Sequence, residues 1–339
     1  MLPLNSLKLN AWREASPISR RYSYAAVLAS VAVGLLAPGL ANWLLGPVLL
    51  AGMLVLGVAH GACDQFVVPV THPLLASGRA RYWAGFLGGY LGLAAAVGLL
   101  WWRQPAVAVA LFFGLTAWHW GSADAPVARH RLQWVAHSLL RGSLIFAVPL
   151  WHRPLETQST VNGLLALAGA APVSTGAMVI AAQWLVPVVV AGHLLLWMSY
   201  LGLRQSRLVR TDALEVLLLT GLLVVLPPVL AGGVYFVFWH SLQHVLRMNQ
   251  LMDRTVASPR RGLWAEIRFF PQRSAPLLLI SLAGLAVLYG LAWARAASGT
   301  VLVSLALLAA SIVTLPHALL VTLGMDAARW RRAGTPRES

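Results

Sequence analysis

The chain has few of the residues on which soluble proteins depend. Charged residues make up only 10% of its 339 positions, well below the roughly 25% typical of soluble domains. Cys63 is the single cysteine, which excludes an internal disulfide and a metal cluster built from cysteines. Lys8 is the only lysine, so arginine supplies nearly all of the positive charge. Apolar residues dominate instead, at 59% of the chain and a mean hydropathy of +0.73.

Apolar runs of about twenty residues recur along the whole sequence and predict membrane-spanning helices. The runs are continuous rather than alternating, which argues against a β-barrel. The sequence therefore predicts an all-α, polytopic membrane protein with about ten spans, or eight or nine if a short segment does not cross. The predicted spans are 23–38, 45–65, 82–102, 105–122, 132–150, 178–203, 213–230, 233–250, 274–295 and 300–323.

These spans form one helical domain, 23–323, between a basic N-terminal segment, 1–22, and a basic tail, 324–339. Segment 151–177 is rich in glycine and alanine and is expected to hold a short amphipathic or re-entrant piece.

The net charge of +15 would suggest nucleic acid in a soluble protein, but here the arginines fall mostly on alternate short loops. One set of loops carries many of them, whereas the opposite set carries only Arg103, Arg153 and Arg295. By the positive-inside rule this asymmetry predicts ten spans in the plasma (inner) membrane, with both termini in the cytoplasm. No nucleic-acid partner is expected.

Five of the ten histidines lie near the ends of these apolar segments: His60, His119, His240, His244 and His317. In the predicted topology all five share the cytoplasmic half of the membrane. Ionisable groups are costly inside a bilayer, so each is a candidate functional residue. Several neutral imidazoles at one depth are suited to binding a transition metal, and the predicted site lies toward the cytoplasmic leaflet.

His240 and His244 are spaced i, i+4, which places both imidazoles on one helix face. The same spacing binds zinc in H-E-x-x-H hydrolases, but the residues between this pair include no glutamate to act as a base. A site of four imidazoles without a thiolate suits iron(II) better than magnesium or calcium, which prefer oxygen ligands.

Acidic and histidine residues beside these positions are candidates for orienting the ligands. Asp64 follows His60 by four residues, and Asp124 follows His119 by five. Each carboxylate either accepts the second N–H of an imidazole or faces water at a helix end. His317 follows Pro316 and is a fifth ligand, a group that orients a ligand, or a packing histidine.

Other polar residues in the spans have simpler interpretations. His137 and His193 lack accompanying polar motifs and are expected to be core histidines. Cys63 is interpreted as a small buried thiol rather than a ligand. Aromatic residues on the helices of His119 and His240 either wall an apolar pocket or belong to the core and the interfacial belts: Phe112, Phe113, Trp118, Trp120, Tyr235, Phe236, Phe238 and Trp239.

Four motifs together resemble the Brp/Blh family of bacterial and archaeal membrane β-carotene 15,15′-dioxygenases. They are H-G-A-C-D at His60, W-H-W-G-S-A-D at His119, H-S-L-Q-H-V-L-R from His240, and P-H at His317. The resemblance implies an iron(II) enzyme in the lipid bilayer that cleaves the central double bond of β-carotene with O2 to give two retinals. It implies iron binding by His60, His119, His240 and His244, and a retinal-binding rhodopsin as a downstream partner.

Two other classes of protein remain open at this point: another membrane non-heme iron enzyme, and a non-enzymatic protein that is either a metal transporter or a haem protein. A lipid desaturase or hydroxylase would also use non-heme iron, but typically shows more histidine boxes than the single H-x-x-x-H pair found here. A metal transporter would carry acidic residues within its spans, where Glu215 is the one exception noted. A haem protein would leave at least two of the clustered histidines unexplained.

Overall fold

The computed structural model describes residues 17–126, 128, 130–251, 262–294 and 298–331. The basic segments predicted at 1–22 and 324–339 lie largely outside the described residues, as do several arginines on which the topology prediction drew. Every regular element within the described ranges is helical, so the all-α prediction is confirmed.

Fifteen α-helices occur in the described residues. They are α1 (Pro17–Leu36), α2 (Ala41–Gly52), α3 (Val58–Gly61), α4 (Val67–Thr71), α5 (Arg79–Arg103), α6 (Pro105–Asp124), α7 (Arg131–His152), α8 (Pro154–Leu167), α9 (Thr175–Gly202), α10 (Ser206–Val225), α11 (Pro228–Val234), α12 (Leu242–Leu251), α13 (Leu263–Ala294), α14 (Gly299–Leu320) and α15 (Ala327–Arg331).

Three π-helical segments join or extend these helices. Met53–Gly57 links α2 to α3, Tyr235–Ser241 links α11 to α12, and Val321–Met325 extends α14. Short 3-10 turns, among them Asp64–Phe66, lie between the early helices. A π-helical turn inserts an extra residue into an α-helix and is frequently found at functional sites.

Seven helical stretches in the described part of the chain are long and apolar enough to cross a membrane. The protein is therefore a polytopic membrane protein. Helices α1, α7 and α10 are 20, 22 and 20 residues long but more polar; α1 carries Arg20 and Arg21, and α7 and α10 carry buried charges. The count of ten spans stays a prediction. Segment 151–177 contains α8, whose 14 residues are too few to span a bilayer.

The seventh predicted span, 213–230, is displaced along the chain. The helix in this region is α10, which begins at Ser206 and ends at Val225. Pro227 and Pro228 follow it, and proline disfavours helical geometry in the residue before it. The apolar run in the sequence continues past these prolines, so hydropathy alone shifted the predicted span several residues toward the C-terminus relative to α10. The prediction therefore left Asp212 outside the span.

Helices α6 and α7 approach each other more closely than side chains would allow. A Cβ atom at Gly121 of α6 would collide with the backbone carbonyl of Ser138, and one at Gly142 of α7 would collide with that of Ala117. Glycines at such crossings allow close backbone packing between membrane helices. The contact fixes α6, which carries His119, against α7.

Candidate metal centre

Four of the five histidines lie within a π-helical segment or in a helix that adjoins one. His60 lies in α3, directly after Met53–Gly57, and His240 lies within Tyr235–Ser241. His244 follows in α12, and His317 lies in α14, just before Val321–Met325. His119 is on the uninterrupted helix α6. Each π-helical segment of the described chain therefore adjoins a clustered histidine.

The structure brings the five imidazoles together. The ring centroids of His119 and His240 are 4.8 Å apart, and that of His60 lies 5.7 Å from His240 and 5.5 Å from His244. The centroid of His317 lies 5.3 Å from that of His244. Ligand nitrogens of His60, His119 and His240 all lie within 4.8 Å of one another, close enough to share a metal ion.

The ring nitrogens of this cluster are poorly satisfied by the protein. His119, His240 and His244 are buried, and among the described residues neither ring nitrogen of any of the three has a hydrogen-bond partner. Buried polar atoms usually have partners, and an orphaned set calls for an explanation. Neutral imidazoles gathered around one point are the donor set of a transition metal. The residues present therefore fit a divalent transition metal.

His60 and Asp64 serve different partners from those that helix geometry predicted. The i, i+4 spacing would bring Asp64 to His60 if the helix continued, but α3 ends at Gly61 and Asp64 begins a 3-10 turn. The carboxylate instead contacts His317, with Nδ1 2.9 Å from both of its oxygens. The Nδ1 atom of His60 bonds the carbonyl of Gly57.

Asp124 is likewise directed away from the histidine of its own motif. Its Oδ2 accepts a hydrogen bond of 2.8 Å from the Tyr235 hydroxyl, so it ties α6 to the π-helical segment that carries His240. Asp124 thus orients a helix rather than the ring of His119.

Two arginines fix the carboxyl-terminal end of α6. Arg247 Nη1 donates to the Ala123 carbonyl at 2.7 Å, and Arg329 Nη1 donates to the Ser122 carbonyl at 2.6 Å. Cations at this end of a helix satisfy its last carbonyls and complement its dipole. Because Arg247 lies three residues after His244, its bond also ties α12 to the helix of His119.

The aromatic residues on these helices divide into two groups. Trp120 and Phe236 lie beside the cluster, with ring centroids 5.8 Å and 6.0 Å from that of His240. Trp118 packs instead against Trp134, and Trp239 against Tyr24 of α1. A minority of the candidate aromatics is therefore placed to meet a bound molecule.

The remaining candidates lie elsewhere. Cys63 is buried in an apolar cluster with Leu56, Ala59 and Val67. His193 is buried in α9, and its Nδ1 lies 2.8 Å from the Val189 carbonyl oxygen. Cys63 is therefore a small buried thiol and His193 a core histidine, as predicted.

A second polar cluster, which the sequence reasoning missed, lies between α1, α7, α9 and α10. Fully buried Arg141 of α7 donates to Asp212 and to Glu215 Oε2, the latter at 3.0 Å. Glu215 also accepts from Arg20 at 2.8 Å and from Tyr24 at 2.7 Å.

His137, a core histidine as predicted, belongs to the same network. It has Nδ1 3.1 Å from the Tyr200 hydroxyl and Nε2 3.2 Å from Asp212. The available signal was Arg141 itself, a charge inside the predicted span 132–150, which demands a partner. Because these acids pair with arginine, they are not arranged as the cation ligands of a transporter.

Fold and site together define a helical membrane protein with a buried centre of several histidines suited to a transition metal. The model of the family described as beta-carotene 15,15'-dioxygenase matches residues 51–325, a range that contains all five clustered histidines. The chain belongs to the β-carotene 15,15′-dioxygenase family.

Similar proteins carry the family's names. A probable beta-carotene 15,15'-dioxygenase Blh of Halobacterium salinarum is 31% identical over 294 residues, covering 81% of this chain and 82% of the relative. A beta-carotene 15,15'-dioxygenase of an uncultured marine bacterium is 27% identical, covering 58% of this chain and 66% of the relative. A probable Brp enzyme of H. salinarum is 29% identical, covering 61% and 59%. No solved structure matches the chain.

Proposed function

We propose that this chain is an iron(II)-dependent membrane dioxygenase that cleaves β-carotene at its central 15,15′ double bond with O2, giving two retinals. One observation carries the proposal: His60, His119 and His240 place ligand nitrogens within 4.8 Å of one another in a membrane-embedded helical protein. Membership of the family supports the substrate and the reaction. Both oxygen atoms of O2 enter the two aldehyde products, so the reaction needs no external electron donor.

The proposed ligands are His60, His119, His240 and His244. Iron(II), when bound, would supply the activation of O2 that oxidative cleavage of the carbon–carbon double bond requires. The rings reach the metal in a defined tautomer where a protein acceptor fixes the other nitrogen. In His60 this acceptor is the Gly57 carbonyl, which directs Nε2 of the ring toward the other imidazoles.

The side chains around the cluster provide the apolar surroundings that a polyene requires. Trp120 and Phe236 flank His240 and are placed to pack against a long hydrocarbon and hold its double bond beside the imidazoles. His119, His240 and His244 are each at most 2% exposed, so the protein excludes water from the reacting atoms. Exclusion of water suppresses side reactions of reactive intermediates.

The membrane setting suits this chemistry because β-carotene dissolves in the bilayer and can enter from the lipid. The arginine asymmetry of the loops supports a plasma-membrane orientation with the site toward the cytoplasmic leaflet. The retinal produced would be available to a retinal-binding rhodopsin in the same membrane.

The test is expression in β-carotene-producing cells, with extracted retinoids and the iron content of the purified protein measured together. The wild-type chain should bleach the cells, accumulate retinal and contain iron. His240→Ala should abolish both retinal and iron while the protein still inserts. His193→Ala is the matched control, because this buried histidine makes its bond within α9, and it should retain both.

Three results would contradict the proposal. Inserted wild-type protein without retinoid products would exclude β-carotene as the substrate. Cleavage products of another chain length would move the reaction to a different double bond. Retinal formation by an iron-free protein, or a Soret band in its spectrum, would exclude the non-heme iron site.

A further inference from the structure

We infer that His317 is itself a ligand of the metal and that Asp64 positions it. The inference rests on the proposed function for the presence of a divalent transition metal, and it adds an imidazole to the four assigned above. The observations that carry it are the position of the His317 ring, the state of its two nitrogens and the local backbone.

The ring of His317 lies close to those of two proposed ligands, His60 and His119. Its centroid lies 4.9 Å from that of His60 and 4.7 Å from that of His119. The corresponding distances for His244 are 5.5 Å and 6.4 Å. A histidine that only packs at the edge of the site would be expected to lie farther from His60 and His119 than His244 does, whereas the ring of His317 lies closer to both.

The two nitrogens of His317 are in different environments. Nδ1 lies 2.9 Å from both oxygens of Asp64, and Nε2 is buried with no hydrogen-bond partner in the part of the chain that the structure describes. A carboxylate that accepts from one ring nitrogen holds the proton there and leaves the other nitrogen's lone pair for a metal. The carboxylate is also fixed, being 1% exposed and within 3.3 Å of the Tyr90 hydroxyl.

The backbone supports this assignment on both sides of the contact. The helix turns after Gly61, so Asp64 leaves the face of His60 and reaches α14. On α14, Pro316 interrupts the hydrogen bonding of the helix just before His317, and the π-helical segment Val321–Met325 follows. The motif that begins at His60 therefore supplies one ligand directly and orients a second through Asp64.

The experiment uses purified full-length protein loaded with Co(II), whose visible spectrum reports the coordination, and with Fe(II) in competition against a chelator. His317→Ala should change the Co(II) spectrum and weaken Fe(II) binding, and added free imidazole should restore the spectrum. Asp64→Asn should weaken binding by roughly 10–100-fold while keeping the wild-type spectrum, because the imidazole remains. His193→Ala should match wild type in both measurements.

Imidazole rescue keeps the test informative if His317→Ala lowers stability, since only a folded site can be rebuilt by a free ligand. An unchanged Co(II) spectrum and Fe(II) affinity in His317→Ala would overturn the inference and leave the four-histidine proposal intact. A wild-type protein that binds neither metal would overturn both, and so separates the two failures.

Discussion

Replacing Arg141 with methionine is the sharpest test of the buried ion network. Methionine has a similar length and fills the volume, so the change removes charge and hydrogen bonding with little loss of packing. Breaking a buried ion pair by removing one partner costs about 3–5 kcal/mol. Arg141 contacts both Asp212 and Glu215, so simple addition would double that figure.

The remaining contacts of the two acids argue against doubling. Glu215 keeps Arg20 at 2.8 Å, and Asp212 keeps Trp197 at 2.6 Å. Arg141→Met should therefore lower the free energy of unfolding by about 3–5 kcal/mol, the cost of one broken pair. The measurement is reversible unfolding in mixed micelles by SDS titration, followed by circular dichroism.

Two further variants make the reasoning refutable. Glu156→Gln removes the Arg153–Glu156 pair, in which the acid is 48% exposed, and should cost less than about 1 kcal/mol. Arg141→Met combined with Asp212→Asn should be more stable than Arg141→Met alone, because the unpaired charge is removed. An Arg141→Met protein within about 1 kcal/mol of wild type, or strictly additive losses in the double variant, would refute the network's energetic role.

Two other substitutions test how the helix of His119 is held. Gly121→Ala should disrupt the α6–α7 contact and lower metal binding, because the added Cβ atom would collide with the Ser138 carbonyl. Gly114→Ala is the control on the same helix: its Cβ atom faces open space, so the free energy of unfolding and the affinity for Co(II) should not change. Equal behaviour of the two variants would contradict the packing argument. Arg247→Gln should lower the free energy of unfolding by about 1.5–3 kcal/mol, as expected for the loss of a charge-assisted hydrogen bond. The control Arg204→Gln, at an exposed arginine, should change that free energy by less than about 0.5 kcal/mol. An SDS midpoint of Arg247→Gln equal to that of wild type would contradict the proposed role of Arg247 in holding α12 against α6.

Hydropathy and residue spacing were enough to predict the helices and the convergence of the histidines. His240 and His244 share a face through their spacing, and loop charges placed His60, His119 and His317 at the same depth. These features are local or depend on composition, so they can be read along the chain.

The contacts that depend on irregular backbone could not be predicted in the same way. Asp64 was a candidate partner of His60 only if the helix continued, whereas the helix ends at Gly61 and Asp64 contacts His317. Such a contact depends on packing with α14, which lies some 250 residues away along the chain. Spacing within one motif carries no information on such a distant partner.

The Arg141–Asp212 pair was not predicted from the sequence, for a different reason. Hydropathy averages over a window, so it merged the apolar end of α10 with the residues beyond Pro227 and excluded Asp212. The charge of Arg141 was visible in the sequence, but its partner was assigned to a loop. A search that required a partner for each intramembrane charge would have paired Arg141 with Glu215, which lies inside the predicted span 213–230.

The ring nitrogens of His119, His240 and His244 also bear on which metal the proposed centre would acquire. A set of neutral imidazoles binds divalent ions in the order in which copper and zinc exceed iron, and nothing in such a donor set rejects the tighter binders by affinity. The identity of the bound ion therefore depends on which metals the host cell keeps available during membrane insertion. Protein produced in a zinc-rich or copper-rich medium would be expected to fold normally, with zinc or copper in place of the proposed iron.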